Sequence, residues 1–458
     1  MFNLSNTVYG YSGLIADILR EKNISIGDRI VIKKNNVVYT GLLMPRSELY
    51  SDKPIIVIKL DNGYNIGIRI DENTSIELIE KTKESFKKTR RGESIVKLQN
   101  KNLPRVSLLS TGGTIVSKVD YETGAVKPAL SVDEILEWIP EIGDIAYINA
   151  REIMNVFSEN IESSHWEYIS REIYEEMVNG VDGVVVAHGT DFMAYTASAI
   201  AFAIRNKPVP VVFVGSQRSS DRPSTDSALN LLSAFIAASK SPFSESVIVM
   251  HGETSDTYAL AHRGVKSRKM HSSRRDAFQS INDRPLAIIY PYKREIKVIN
   301  NNIYEFRNKD KEPVLENKFD NRVALIYFYP GLDTDLIEYF IDKKYHGLVI
   351  AGSGLGHVSE RLINTVKRAV EEEIPVVMTT QCLFGRVNMN VYSTGRRLIE
   401  AGVIPGQDML PEAAFVKLSW ILGSRTRDLR EVAYLIQSNI VGEINTRLTI
   451  DLYPKWVF

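Results

Sequence analysis

Two short stretches of this chain set hydroxyls beside glycines: Thr111-Gly112-Gly113-Thr114 and His188-Gly189-Thr190-Asp191. Each follows a continuous apolar run, "RVSLLS" and "GVVVA", and two further runs end in Gly215-Ser216-Gln217 and His251-Gly252-Glu253. Such runs are what strands buried on both faces require. In an open parallel sheet ligands gather beyond the carboxyl ends of the strands, so these four termini are the candidate site. They are rich in hydroxyls and poor in phosphate-binding signatures. A threonine hydroxyl is a weak nucleophile that needs a base close by, and Thr190, Asp191 and a lysine could supply one. Gly112 and Gly113 let the backbone turn sharply and approach a ligand, aiming amide N–H groups and the Thr114 hydroxyl inward. A purely structural strand turn would also account for the glycines. The combination of the two motifs favours the functional reading, a threonine hydroxyl with a proton acceptor close by.

The elements that would position these residues begin near residue 104. From there apolar runs alternate with helical patterns such as "MAYTASAIAFAIRN", which predicts a parallel sheet with crossover helices. A second, smaller set follows a polar stretch near residues 300–321: "RVALIYFYPG", "GLVIAGSG" and "PVVMTTQC", with helices such as "SERLINTVKRAVEEE". The patterns "EAAFVKLSWILG" and "DLREVAYLIQ" predict closing helices, and "TRLTIDLY" a short β-like tail. Ahead of this core, residues 27–79 carry short β-rich runs split by turn signals at Asn35-Asn36 and Asp61-Asn62-Gly63. They predict a small all-β barrel of SH3 or Tudor type, capped by a helix with Leu14, Ile15, Ile18 and Leu19 on its apolar face. The expected organisation is α/β: a barrel domain over 1–80, a basic linker over 81–103, a larger domain over 104–310 carrying the site, a smaller domain over 311–438, and a tail over 439–458.

Composition narrows the function. Lys and Arg total 56, equal to Asp and Glu, so bulk charge does not advertise nucleic-acid binding and any RNA contact must be local. The basic linker reads as a solvated tether, with contact to an RNA backbone as the sharper alternative. A single cysteine, Cys382, excludes an internal disulfide framework and fits a reducing compartment. No secretory leader pattern or membrane-length apolar run is present, and the chain is read as cytoplasmic, with no membrane partner. "AGSGLGH" does not complete a dinucleotide fingerprint. His188, His251, His262, His271 and His357 lack metal-ligand spacing and are expected as hydrogen-bonded scaffold, so no metal is assigned. Cys382 is expected in the core, and the basic stretches "RTRDLR" and "SSRRDAF" on a solvated face.

"STGGTIVSKVDYETGAV" and "GVVVAHGTDFMAYTA" resemble the two signature regions of the L-asparaginase family, amidohydrolases that cleave the side-chain amide of asparagine or glutamine. The likeness continues through "VKSRKMHSSRRDAF" and "TTQCLFGRVNMNVYSTGRRLIEAG", covering residues 104–435. It implies a larger α/β domain followed by a smaller one. The extra N-terminal barrel and basic linker resemble the D-subunit branch of archaeal-type glutamyl-tRNA(Gln) amidotransferases. By that resemblance Thr114 attacks the amide carbonyl and Tyr121, on the following loop, closes over substrate. Thr190, Asp191 and Lys269 form a Thr-Lys-Asp set, and Ser158 holds the substrate α-carboxylate. Amides at Gly113, Thr114 and Thr190 would stabilise a tetrahedral oxyanion.

The resemblance further implies glutamine as substrate and ammonia delivery to a partner kinase subunit of the E type, which amidates Glu-tRNA(Gln) and holds the ATP and Mg²⁺. No cofactor is implied in this chain, and a homodimer core with two partner subunits is. Two other readings stay open: a free-standing cytoplasmic asparaginase with an accessory barrel, and an RNA-binding scaffold with an inactive amidase fold.

Overall fold

The computed structural model describes residues 10–35, 37–45, 53–60, 65–81, 99–113, 115, 117–119, 126–128, 132–218 and 224–453. Most of the expected linker lies outside them. The chain divides into two compact units, one formed by residues 1–98, 117–129 and 218–225, the other by 99–116, 130–217 and 226–458.

In the first unit, five strands form one antiparallel sheet: Arg29–Lys34, Val37–Leu43, Ile55–Leu60, Asn65–Arg69 and Thr74–Glu80. The Arg29–Lys34 strand pairs with both Val37–Leu43 and Thr74–Glu80. Side chains alternate between faces, so Ile30, Ile32, Ile56, Ile58, Ile68 and Ile76 share one core. The helix Gly13–Glu21 adds Ile15 and Leu19 to it. Leu14, expected on the apolar face, is instead 58% exposed. Ile15, Ala16 and Leu19 already cover the core at i, i+1 and i+4, and Leu14 falls outside that stripe. Tyr11 pins the segment before the helix, its hydroxyl donating to the Met44 carbonyl (2.7 Å) and accepting from the Val57 amide (3.0 Å).

The second unit is built on an eight-stranded sheet. Its parallel part runs, in spatial order, Ser246–His251, Val211–Val214, Gly183–Ala187, Arg105–Ser110 and Tyr147–Glu152. Three antiparallel strands extend it: Ala259–Arg263, Ala287–Tyr290 and Glu295–Val298. The loop 252–258 explains the switch of direction. It suffices for a hairpin, whereas a parallel return needs a crossover of a dozen residues or more. Val185, Val212, Val247 and Val249 pack on the helix Ser227–Lys240, while Val184, Val186, Phe213 and Ile248 face the helices Ser163–Val178 and Met193–Ala203.

A second sheet of four parallel strands follows in chain order: Val323–Tyr327, Gly347–Gly352, Val376–Thr380 and Ile404–Pro405. The Met193–Ala203 helix packs against the helix Pro411–Ser424, where Phe202 stacks on Trp420 with centroids 5.7 Å apart. Alanines along the former helix let the layers approach. The expected β-like tail is not a strand. Residues Ile450–Leu452 make a short 3₁₀ turn, and Ile450 is 86% exposed, so its alternating pattern has no sheet face to bury against. Among the described residues no helix is long and apolar enough to cross a membrane.

Candidate active site

Three strand ends are laced together before any catalytic group is placed. The Thr111 amide and hydroxyl both donate to the Ala187 carbonyl, at 3.0 and 3.1 Å, and the Val156 amide donates to the Thr111 carbonyl at 3.0 Å. The chain then turns through Gly112 and Gly113 at φ +110° and +91°, a region that side chains with a Cβ rarely enter. A Cβ at Gly113 would lie 2.9 Å from the Gly189 nitrogen. One at Gly189 would lie 2.9 Å from Ser158 Cβ, and one at Gly215 would lie 2.7 Å from both the His188 carbonyl and Thr190 Cγ2. The glycines therefore allow four loops to converge, bringing Gly113, Ser158 and Thr190 around Gly189. Ser158 is buried at the start of the short turn Ser158–Asn160.

Lys269 arrives from elsewhere. It ends the strand Ser267–Lys269, which pairs only with Phe278–Ser280 as a separate two-stranded sheet. Its Nζ donates to Thr190 Oγ1 at 2.9 Å and to Asp191 Oδ1 at 2.7 Å. The lysine side chain is 13% exposed and that of Asp191 64%. The three residues thus form one continuous hydrogen-bonded set, open to solvent at its carboxylate end. Thr114 and Tyr121 lie outside the described residues.

Behind this set stands a polar network that sequence reading missed. Asp226 accepts from the Gln217 amide, at 2.9 Å to Oδ2, and from Asn230 Nδ2 at 3.0 Å. Asn230 Nδ2 also donates to the Gly215 carbonyl at 3.0 Å, and Asn230 Oδ1 lies 2.6 Å from His251 Nδ1. His251 Nε2 reaches Asp256 at 3.0 Å, which Arg275 meets at 2.6 Å. The network fixes the turn 215–217 on which Thr190 rests. Its legible signal was polar Asp226 and Asn230 four apart at the start of an otherwise apolar helix.

His188 Nδ1 donates to the Gly189 carbonyl at 2.7 Å, and complete burial draws its pKa down to about 4. Burial likewise lowers His251, opposed by Asp256. Cys382, expected in the core, is exposed, because the strand Val376–Thr380 ends two residues earlier and the cysteine falls in the following loop. Among the described residues no three His, Cys, Asp or Glu side chains are grouped to hold a metal ion.

This arrangement of sheets, and a hydroxyl–lysine–carboxylate set at the strand ends, is of the asparaginase class. Residues 105–304 match the family model for the asparaginase N-terminal domain and 322–435 that for the glutaminase/asparaginase C-terminal domain. Residues 24–79 match the GatD N-terminal domain. The thermostable L-asparaginase from Thermococcus kodakarensis superposes with a TM-score of 0.66 at 36% identity, covering 75% of this chain and 100% of that one. The D subunit of glutamyl-tRNA(Gln) amidotransferase from Saccharolobus solfataricus is 52% identical over 98% of this chain and 99% of its own length. The Sulfolobus acidocaldarius protein of the same name is 48% identical over 97% of each. The chain belongs to the family of glutamyl-tRNA(Gln) amidotransferase D subunits, an asparaginase-fold family with an added N-terminal domain.

Proposed function

We propose that this chain is the glutaminase subunit of a tRNA-dependent amidotransferase. The observation that carries the reading is Lys269 Nζ held between Thr190 Oγ1 and Asp191 Oδ1, at 2.9 and 2.7 Å, beside the turn that leads into Thr114. In this reading Thr114 Oγ attacks the side-chain carbonyl carbon of glutamine, and amides at Gly113, Thr114 and Thr190 stabilise the oxyanion, by about 3 kcal/mol per donor. The C–N bond breaks, and ammonia leaves with the proton taken from the hydroxyl. Water then adds to the Thr114 ester. Thr190 and Lys269 take up its proton and return it to Thr114 as glutamate departs, while Asp191 holds the lysine in place. Ser158, buried against Gly189, holds the substrate α-carboxylate, and the Tyr121 loop closes over the site.

The match of residues 24–79 to the GatD N-terminal domain, with relatives similar along the whole chain, supports a role in converting Glu-tRNA(Gln) to Gln-tRNA(Gln). The ammonia would pass to an E-type kinase subunit that holds ATP and Mg²⁺. Two such partners would attach to a homodimer of this chain in the cytoplasm. A second reading, a free-standing asparaginase, has the superposition on the complete Thermococcus enzyme in its favour.

One assay separates the two. Ammonia release from glutamine and from asparagine is measured with the purified chain alone, then with the partner subunit and glutamate-charged tRNA. Strong stimulation by the complex is expected. Equal, rapid turnover by the chain alone would establish the asparaginase instead.

A further inference from the structure

The hairpin that delivers Lys269 is not part of the eight-stranded sheet, so the sheet's ladder does not set its position. It touches that sheet through Ser280, whose Oγ lies 2.9 Å from His262 Nδ1, and it also meets the smaller sheet's part of the same unit. Lys266 closes the short 3₁₀ turn Gly264–Lys266 that precedes the strand, and along the strand itself side chains alternate, so Arg268 points away from the side that Lys269 takes. Lys269 turns toward Thr190. Lys266 Nζ pairs with Asp408 Oδ2 at 2.6 Å, both side chains fully buried, and Arg268 Nε pairs with Glu412 Oε1 at 3.2 Å. Asp408 lies in the loop after the strand Ile404–Pro405, and Glu412 in the first turn of the helix Pro411–Ser424. Two cations at i and i+2 thus meet two anions at i and i+4.

The clasp is reinforced from both sides. Asn445 donates to both Asp408 oxygens, and Asn282 Nδ2, just beyond the hairpin, donates to the Asp408 carbonyl at 3.1 Å. Tyr327, at the end of the first strand of the smaller sheet, lies close enough to feel the charges of both Arg268 and Glu412. Glu412 Oε2 accepts no hydrogen bond among the described residues, and its side chain is 10% exposed. A nearly buried carboxylate so placed depends on its one cation.

We infer that Arg268 and Glu412 are positioning residues, through which the smaller sheet's elements set the location of Lys269 Nζ. The inference rests on Lys269 acting as the proton carrier of the proposed glutaminase. Lys266 and Asp408 anchor the base of the hairpin. The Arg268–Glu412 pair, nearer its working end and less buried, fixes the backbone immediately before Lys269. Arg268, Tyr195 and Tyr327 lie near Glu412, and burial, with the Glu412 charge adding to it, raises the pKa of both tyrosines. A misplacement of the lysine by an ångström is enough to slow proton transfer by about 10²-fold without touching substrate.

The test is steady-state ammonia release by the full chain in the complex, for wild type, Glu412→Gln, Glu412→Asp and Arg268→Lys. Glu412→Gln is expected to lower kcat by about 10- to 100-fold with KM for glutamine within about twofold, and to move the pH–rate profile. Glu412→Asp should recover part of the loss, and melting temperatures should stay near wild type. Should the glutamine variant fail to fold, Arg268→Lys, which keeps the charge and loses the guanidinium geometry, must show the same split. An active wild type with Glu412→Gln and Arg268→Lys unaltered, or with losses that track melting temperature alone, overturns the inference. A wild type that releases no ammonia under any condition overturns the glutaminase reading and this inference with it.

Discussion

A lysine can pass a proton between a hydroxyl and its surroundings only while its contacts hold it against that hydroxyl. Lys269 has two such contacts, Thr190 Oγ1 and Asp191 Oδ1. Replacing Lys269 or Thr190 with Ala is expected to lower kcat for ammonia release by about 10²- to 10⁴-fold, the usual reach of positioned acid–base groups. Circular dichroism and the melting temperature should remain near wild type. Normal turnover in either variant would refute the assigned roles. Glycine chemistry makes a sharper claim. A Cβ at Gly215 would stand 2.7 Å from Thr190 Cγ2, so Gly215→Ala must push Thr190 off Lys269. The expected loss is about 10²-fold in kcat. Gly180→Ala is the control. Gly180 has φ +76°, but nothing lies within 4 Å of the place an added methyl would take, so the change should cost stability alone.

The elements divide into those whose own residues announce them and those held by partners far away in the chain. The termini at Thr111, His188, Gly215 and His251 were legible because a strand buried on both faces leaves an unbroken apolar run. The convergence of Ser158 on Gly189 was not, since nothing local at "NVFSEN" marks a close backbone approach. Nor was the chain of contacts from Asp226 through His251 to Arg275, because its members come from separate segments. The buried pair Lys417–Glu443 belongs to this second kind. Lys417 Nζ meets Glu443 Oε1 at 2.6 Å with both side chains fully buried, tying the segment after the helix Leu429–Gln437 to the helix Pro411–Ser424. The Lys417 ammonium also donates to the carbonyls of Ile436 and Ser438. Glu443→Gln leaves that ammonium buried without its counter-charge, which typically costs about 3–5 kcal/mol. A melting temperature lowered by several degrees is expected; one unchanged would show that the carbonyls alone suffice.

Among the described residues, the parallel grammar read from the apolar runs holds for the four runs of the larger sheet and the three of the smaller sheet. Three further strands lie antiparallel at the edge of the larger sheet, with the short loops 252–258 and 291–294 turning two of the hairpins and the longer segment 264–286 joining the other pair. Apolar runs report burial, and burial is the same for a strand of either direction. A global consequence of that deep burial is its effect on histidines. His188 and His262 are fully buried, and desolvation lowers each from 6.5 to about 4. In the unfolded chain both take up protons near pH 6.5, whereas the folded chain resists until about pH 4. The unfolded state therefore binds more protons inside that window, and stability must fall as pH falls through it. His251, also lowered by burial, acts in the same direction. Stability is fully present above about pH 6.5, and the loss on reaching pH 4 is on the order of 3 kcal/mol for each fully buried histidine. Melting temperatures recorded from pH 7.5 down to 4.5 should decline steadily. In His262→Asn, where the amide can still meet Ser280, the decline should be shallower by about one proton's worth, 1.4 kcal/mol per pH unit. An identical slope in variant and wild type would mean that His262 protonates in the folded chain as readily as in the unfolded one, and that its burial does not govern acid stability.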